Sequence, residues 1–204
     1  MGLASLLGRI LRPPHLSIAP EGSSAAASSN TAASTTQLCT IAAGCFWGVE
    51  HIYRRHFANK GLVDISVGYI GGKSDAPAYL DVCSGATGHA EAAQIVFDPS
   101  AVTYRQLLEF FYRIHDPTTM DRQGPDQGSQ YRSAIFFHNA DQEAIARQVT
   151  TAADKQWWQG NIVTKILPAT QWWPAEDYHQ KYLESHPNGY ECPTHFLRPF
   201  SPLE

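Results

Sequence analysis

Short β-compatible segments and amphipathic helical segments alternate irregularly through residues 38–204 of this 204-residue chain. Residues 63–69 alternate apolar with small or polar side chains, which predicts a half-buried strand. Thr103 opens a capping-box sequence ahead of a helix with one apolar face. Further strands are predicted at 38–43, 92–97, 131–137 and 162–167, and further helices at 49–57, from Asn139 and at 175–183. Because strands and helices intermix without strict repetition, we predict a single α/β (α+β) domain: a mixed sheet, flanking helices and an irregular tail after Pro187.

Residues 1–37 lack this patterning. Thirteen of the 17 residues from Glu21 to Gln37 are Ala, Ser or Thr, and the preceding residues carry Arg9 and Arg12 but no acidic side chain. An acid-poor, Arg-containing start followed by a Ser-rich tract is typical of a mitochondrial transit peptide, although two arginines are few. We therefore predict that residues 1–37 are a disordered or targeting extension. We expect a cytoplasmic protein, with mitochondrial import through residues 1–37 as the alternative.

Composition and charge narrow the possible functions. The net charge of −4 gives no basic surface for nucleic acid, and no apolar run is long enough to span a membrane. The four cysteines, Cys39, Cys45, Cys83 and Cys192, have no Cys-x-x-Cys spacing, so a metal site has no support. So few cysteines predict a reducing compartment, in which disulfides are transient and catalytic.

The run from Gly44 to Gly48 places Cys45 between a predicted strand and a predicted helix. Unpaired backbone N–H groups and the helix dipole at a helix N-terminus stabilise a thiolate, which lowers the pKa of a cysteine there. Phe46 and Trp47 follow directly and are candidates for an apolar wall around a bound group. The alternative is a small buried hydrophobic residue in a tight turn.

A reactive Cys45 suits acyl transfer, sulfur exchange or the reduction of an oxidised substrate. Reduction requires a proton donor for the departing oxygen and a second thiol. Glu91 is a candidate donor, because burial against aromatic rings would raise its pKa. Tyr79 and Tyr131 are able to donate phenolic hydrogen bonds. Cys192 lies in the irregular tail, where a mobile thiol would be able to reach Cys45.

Two other functions remain open from the residues alone. A cysteine–histidine hydrolase or acyl transferase would use Cys45 with His89, His115 or His179. A non-catalytic binding module would hold its ligand against the apolar rings of Phe46 and Trp47.

Several motifs occur in one order along residues 38–197 and closely resemble those of the type A peptide methionine sulfoxide reductases. They are Gly44-Cys45-Phe46-Trp47-Gly48-Val49-Glu50, Gly88-His89-Ala90-Glu91, His115-Asp116-Pro117-Thr118-Thr119, Gly128-Ser129-Gln130-Tyr131-Arg132-Ser133, Tyr178-His179-Gln180-Lys181-Tyr182-Leu183 and Asn188-Gly189-Tyr190. The resemblance implies a ferredoxin-like plait over a catalytic reductase domain at 38–204. It also implies reduction of the S epimer of methionine sulfoxide, free or in oxidised proteins.

The resemblance assigns roles to the candidate residues. Cys45 would attack the sulfoxide sulfur and become a sulfenic acid, while Glu91 protonates the oxygen with help from Tyr79 and Tyr131. The methyl group would lie against Phe46 and Trp47, and Asp126 would make polar contacts to the substrate. No cofactor is expected, and thioredoxin or dithiothreitol would be the reductant of a protein that we expect to be monomeric.

The tail departs from the pattern of some relatives, which carry two recycling cysteines there. Cys192 is the only thiol in this tail. We therefore predict that Cys192 condenses with oxidised Cys45 and that thioredoxin reduces the disulfide. Cys39 and Cys83 are the alternative resolving thiols.

Overall fold

The computed structural model describes residues 35–204, so the predicted extension over residues 1–37 lies almost entirely outside the described residues. The strands are Gln37–Ala43 (β1), Leu62–Ile70 (β2), Ala90–Phe97 (β3), Arg122–Gln123 (β4), Asp126–Gln127 (β5), Ser133–Phe137 (β6), Lys165–Pro168 (β7) and Trp173–Pro174 (β8). The helices are Phe46–Phe57 (α1), Tyr79–Cys83 (α2), Tyr104–Ile114 (α3), Ala140–Ala153 (α4) and Tyr182–Ser185 (α5). Short 3-10 turns cover Ser129–Tyr131 and Asp177–His179, and α4 continues into a π-helical turn at Asp154–Trp158.

Six strands form one mixed sheet in the order β7-β6-β1-β3-β2-β8. Neighbouring strands are antiparallel except for the parallel pair β6–β7. Strands β4 and β5 pair with each other in a separate hairpin. The structure therefore confirms the predicted mixed α/β domain. In this order β1 lies between β3 and β6. The residues that follow Ala43 therefore begin at the end of a central strand.

Helices α1, α3 and α4 bury their apolar faces with the central strands in the main core. The hydroxyl of Tyr53 donates a hydrogen bond to the carbonyl oxygen of Leu107 at 2.7 Å, which joins α1 to α3 inside this core. The capping box predicted at Thr103 is confirmed. Its hydroxyl accepts from the Gln106 N–H at 3.2 Å, and the Gln106 side chain accepts from the Thr103 N–H at 2.8 Å.

The predicted helix over residues 175–183 is wrong. A 3-10 turn ends at His179, and α5 begins only after Lys181, which adopts a φ of +54°. Between them, the Gln180 side chain accepts a hydrogen bond from the Val67 N–H at 3.0 Å and donates one to the Val67 carbonyl at 2.9 Å. These bonds to β2 replace continuous helical bonding, because they hold Gln180 in an extended conformation.

The tail after α5 contains no helix or strand among the described residues, as predicted, but it is packed against the domain. Nε2 of His195 lies 2.7 Å from the carbonyl oxygen of Ala43. The N–H of Arg198 donates to the carbonyl of Arg113 at 2.9 Å, and the ring of Phe200 stacks on Trp157. The expectation of a freely mobile tail is therefore wrong in this state of the protein.

Candidate active site

Cys45 occupies the turn between β1 and α1 and is the residue that precedes the helix. The turn requires glycine at position 44, where φ is +93°, and a Cβ there would lie 2.5 Å from Cγ of Gln123. Only 6% of Cys45 is exposed. The β1–Cys45–α1 arrangement predicted from the sequence is therefore confirmed.

The expected lowering of the Cys45 pKa is not seen. Burial raises the pKa of this thiol, and the carboxylate of Glu91 raises it further. The backbone N–H of Trp47 opposes both effects and lowers the pKa, as a helix N-terminus should. The charges of Asp126 and Cys192 also raise the pKa. Burial outweighs the helix terminus because an apolar site penalises the charged thiolate.

Glu91 lies on β3 with 2% of its surface exposed. Its Oε2 accepts a hydrogen bond from the backbone N–H of Phe46 at 3.1 Å. Burial raises the pKa of Glu91 to about 8; the Phe46 bond lowers it, and Asp126 raises it. The carboxyl is therefore mostly protonated at neutral pH and carries a proton beside the start of α1.

Tyr79 begins α2, and Tyr131 ends the 3-10 turn before β6. Burial raises the pKa of Tyr79, as do a hydrogen bond with Cys83 and the charge of Glu91. Burial also raises the pKa of Tyr131, followed by the charges of Glu91 and Cys45. Both phenols stay protonated at neutral pH and are therefore able to donate hydrogen bonds.

Phe46 and Trp47 form an aromatic wall at the beginning of α1. Phe46 is buried, with its ring centroid 5.9 Å from Tyr69 and 5.1 Å from His179. Trp47 stacks on Tyr182 with ring centroids 3.8 Å apart. Its indole N–H donates to Nδ1 of His179 at 3.0 Å. Residues from the C-terminal segment therefore fix the orientation of both rings.

Glu176 and His179 support this wall, and the sequence analysis gave neither of them a supporting role. Glu176 accepts hydrogen bonds from the Tyr69 hydroxyl and from the Tyr79 N–H, both at 2.8 Å. Nε2 of His179 lies 3.8 Å from a Glu176 oxygen. The motif that begins at Tyr178 was the available signal for His179, but only a role as catalytic base was considered for it.

Cys192 in the tail and Asp126 at the beginning of β5 are the other two predicted site residues. Cys192 is buried, with its Sγ 3.4 Å from the carbonyl oxygen of Gln123 and 3.3 Å from Oγ1 of Thr194. Oδ1 of Asp126 accepts a hydrogen bond from the Tyr190 hydroxyl at 2.7 Å. Oδ2 of Asp126 is buried and has no hydrogen-bond partner within bonding distance among the described residues, and a hydrogen bond with the Asp126 side chain raises the pKa of the Cys192 thiol.

The other two thiols differ sharply in position. Cys39 is fully buried in β1 opposite Ile95, and burial raises its pKa. Cys83 ends α2, is partly exposed and exchanges a hydrogen bond with Tyr79. Cys39 is therefore poorly placed for exchange with Cys45, whereas Cys83 borders the site.

The three histidines considered as catalytic bases bond elsewhere. His89 lies 2.9 Å from the carbonyl oxygen of Ser74, and His115 lies 2.7 Å from that of Phe111. His179 accepts from Trp47, as described. Among residues 35–204, no group of three or more His, Cys, Asp or Glu side chains is arranged to hold a metal ion. Within the same range, no helix is both long and apolar enough to cross a membrane.

A cysteine at the beginning of α1, a protonated carboxyl bonded to the next residue and a second cysteine in the tail are the groups that a thiol-dependent oxidoreductase requires. A family model described as peptide methionine sulfoxide reductase matches residues 37–198. The probable peptide methionine sulfoxide reductase of Schizosaccharomyces pombe is 51% identical over 164 residues, which cover 79% of this chain and 96% of that protein.

Two solved structures of Mxr1 from Saccharomyces cerevisiae are also similar to this chain. The reduced form has a TM-score of 0.76 at 44% identity and covers 80% of this chain and 92% of Mxr1. Mxr1 in complex with Trx2 has a TM-score of 0.57 at 31% identity, and the match covers 81% of this chain and 92% of Mxr1. The chain belongs to the peptide methionine sulfoxide reductase family. It is an oxidoreductase that reduces methionine sulfoxide.

Proposed function

We propose that the protein reduces the S epimer of methionine sulfoxide with Cys45 as the nucleophile and Glu91 as the proton donor. The observation that carries this proposal is the protonated Glu91, with a pKa of about 8, bonded to the N–H of the residue that follows Cys45. Oxide is a poor leaving group, so an acid beside the sulfoxide oxygen lowers the barrier, typically by ~10²–10⁴-fold in rate.

The first step transfers one oxygen atom and two electrons. The Cys45 sulfur attacks the sulfoxide sulfur while the Glu91 proton passes to the sulfoxide oxygen. The oxygen then moves from the substrate to Cys45, which leaves methionine and a Cys45 sulfenic acid. The proton lost by the Cys45 thiol replaces the one given by Glu91, so the step consumes no net proton.

The surrounding side chains hold the substrate for this step. Tyr79 and Tyr131 donate hydrogen bonds to the sulfoxide oxygen. Phe46 and Trp47 enclose the methyl group, because an apolar wall favours the methyl over the oxygen and so distinguishes the two epimers. Oδ2 of Asp126 accepts a hydrogen bond from a substrate N–H, which its lack of another partner supports.

Recycling uses Cys192 and thioredoxin. The Cys192 thiol attacks the Cys45 sulfenic acid, a disulfide forms and water leaves; a dithiol then reduces the disulfide. The influence of Cys192 on the pKa of Cys45 supports their proximity. Thioredoxin as the reductant is supported by the complex of the relative Mxr1 with Trx2. No prosthetic group is needed for this cycle.

Several broader assignments belong to the same proposal. We assign residues 38–204 to the catalytic domain and its core to the ferredoxin-like plait, which the central strand order β6-β1-β3-β2 supports. We expect a cytoplasmic monomer that binds no nucleic acid, with mitochondrial import through residues 1–37 as the alternative. Sequencing the mature N-terminus from fractionated cells decides between the two locations.

An epimer-resolved assay tests the proposal. Reduced protein with dithiothreitol should convert methionine S-sulfoxide to methionine and leave the R epimer unchanged, and Cys45→Ser should abolish conversion. Reduction of the R epimer alone, or activity retained in Cys45→Ser, contradicts the proposal. A hydrolase would instead need no reductant and form an acyl-enzyme. A non-catalytic module would bind oxidised methionine in Cys45→Ser without ever converting it.

A further inference from the structure

Large apolar side chains are exposed next to the candidate active site. Among residues 35–204, Leu80 is 77% exposed and Tyr178 is 61% exposed. Each directly adjoins a residue of the site in sequence: Leu80 follows Tyr79, and Tyr178 precedes His179, whose ring centroid lies 4.2 Å from its own. Exposed apolar surface beside a binding pocket is typical of an interaction site.

Two contacts place these side chains on the same rim. The carboxylate of Glu176 accepts a hydrogen bond from the Tyr79 N–H, which ties the segment carrying Tyr178 to the beginning of α2. Leu80 and Cys83 are three residues apart on α2 and therefore share one face of the helix. The ring centroid of His179 lies 4.5 Å from that of Tyr79 and 4.2 Å from that of Tyr178, which places Tyr178 beside the beginning of that helix.

We propose that Leu80 and Tyr178 form an apolar rim that binds the residues flanking an oxidised methionine and favours substrates in which those residues are apolar. The inference rests on the proposed function, because the rim is continuous with the proposed methionine sulfoxide pocket. The occupant is an extended peptide whose oxidised methionine lies in the proposed pocket beside Cys45 and Glu91. The side chains of the residues before and after the oxidised methionine then contact the rim.

Free and peptide-bound substrates distinguish the effect of the rim from that of the pocket. Free methionine sulfoxide is enclosed by Phe46, Trp47, Glu91 and the tyrosines, and it has no flanking side chains to reach the rim. A peptide with leucine on both sides buries apolar surface against Leu80 and Tyr178, whereas one with serine does not. The rim therefore acts on peptide selectivity and leaves the chemistry of the free amino acid unchanged.

The experiment compares three substrates: free methionine S-sulfoxide and two uncharged capped peptides in which the S-sulfoxide is flanked by leucine or by serine. We expect kcat/KM to be about tenfold higher for the leucine peptide than for the serine peptide, from partial burial of one or two side chains. The double variant Leu80→Ser/Tyr178→Ser should reduce this ratio to about one by raising KM for the leucine peptide. Its kcat/KM for the free substrate should stay within about twofold of the original enzyme.

Val63→Ser is the matched control. Val63 is 57% exposed on β2, six residues before Tyr69 and so roughly 20 Å from it along the strand. This variant should keep the tenfold ratio. Equal kcat/KM for the two peptides in the original enzyme, or an unchanged ratio in the double variant, overturns the rim. Failure of the original enzyme to reduce the free S epimer contradicts the proposed function instead.

Discussion

Oε2 of Glu91 accepts a hydrogen bond from the backbone N–H of Phe46 at 3.1 Å, so the proposed proton donor is bonded to the residue after the proposed nucleophile. A movement of α1 against β3 would therefore shift the donor relative to Cys45. The same bond favours the charged form of Glu91, yet burial outweighs it and keeps the carboxyl largely protonated. This balance between burial and one backbone donor gives the site its expected pH dependence.

Glu91→Gln should slow methionine formation by ~10²–10⁴-fold, because the amide keeps the shape of the carboxyl but has no acidic proton to transfer. With the original enzyme, the single-turnover rate should fall as the pH rises through about 8, where Glu91 loses its proton. The descending limb should be absent from Glu91→Gln. Rapid quenching of reduced enzyme without added reductant isolates the formation of methionine. If the rate of Glu91→Gln falls at high pH as in the original enzyme, the fall belongs to another group.

The same variant should be more stable at high pH. Burial raises the pKa of Glu91 in the folded protein from 4.5 to about 8, so its favourable contribution to folding is complete below pH 4.5 and is lost as the pH rises through 8. Glu91→Gln removes this dependence. Urea denaturation gives the free energy of unfolding of Glu91→Gln minus that of the original enzyme. This difference should be larger at pH 9 than at pH 5, by on the order of a few kcal/mol. Equal gains at both pH values would show that Glu91 ionises normally.

Cys192→Ser should still form about one methionine per enzyme in a burst but should lose turnover with thioredoxin, since the Cys45 sulfenic acid would have no resolving thiol. Cys83→Ser is the matched control, because Cys83 also borders the site, and it should retain thioredoxin-coupled turnover. Quenched-flow measurement of methionine gives the burst, and NADPH consumption with thioredoxin and its reductase gives the turnover. The opposite pattern in the two variants would make Cys83 the resolving thiol.

Gly48→Ala should destabilise the protein by about 1–3 kcal/mol, because a Cβ at this position would overlap the ring of His195. His195→Ala removes the ring, so the same glycine substitution should cost less in that background. Urea denaturation of the four proteins in this double-mutant cycle measures the coupling between the two positions. Additive changes in the free energy of unfolding would mean that His195 of the tail does not contact Gly48 of α1 in solution.

His179→Leu should raise KM for methionine S-sulfoxide by roughly tenfold, because the Trp47 indole N–H would lose its acceptor and the ring its fixed orientation. His179→Asn keeps a side-chain acceptor and should lie between this variant and the original enzyme. Steady-state kinetics with the free S epimer gives both constants. A loss confined to kcat, equal in the two variants, would indicate a chemical role for His179 rather than a positioning one.

Local pattern predicted much of the fold. The strand at 63–69, the capping box at Thr103 and the glycine-bounded Cys45 all depend on neighbours within a few residues, and the structure confirms each of them. The alternation predicted for this strand fails at its end, because residues 67–70 are all buried. The failures arise from distant contacts. Gln180 interrupts the predicted final helix by bonding to Val67, 113 residues away in the chain.

Distant contacts also explain what was missed at the site. The raised pKa of Cys45 comes first from burial, to which the tail contributes, and no feature near residue 45 reports that burial. Glu176 supports Tyr79 from 97 positions away, without a local sequence signal. Cys45, Glu91 and Tyr131 lie in the motifs, whereas Tyr79, Asp126 and Cys192 lie outside them and were predicted from their positions. Neither route predicted the supporting role of Glu176 or His179.

The contact between His195 and the carbonyl of Ala43 joins the last residues of the domain to its first strand. During synthesis, strands β1, β2, β3 and β6 emerge from the ribosome well before His179, Cys192 and His195. A nascent chain can therefore assemble the central sheet while Cys45 is still uncovered and the rings of Phe46 and Trp47 lack their contacts with His179 and Tyr182. The proposed site is completed only after the sheet that carries it, so folding of the sheet and formation of the site are separate events in the synthesis of this domain.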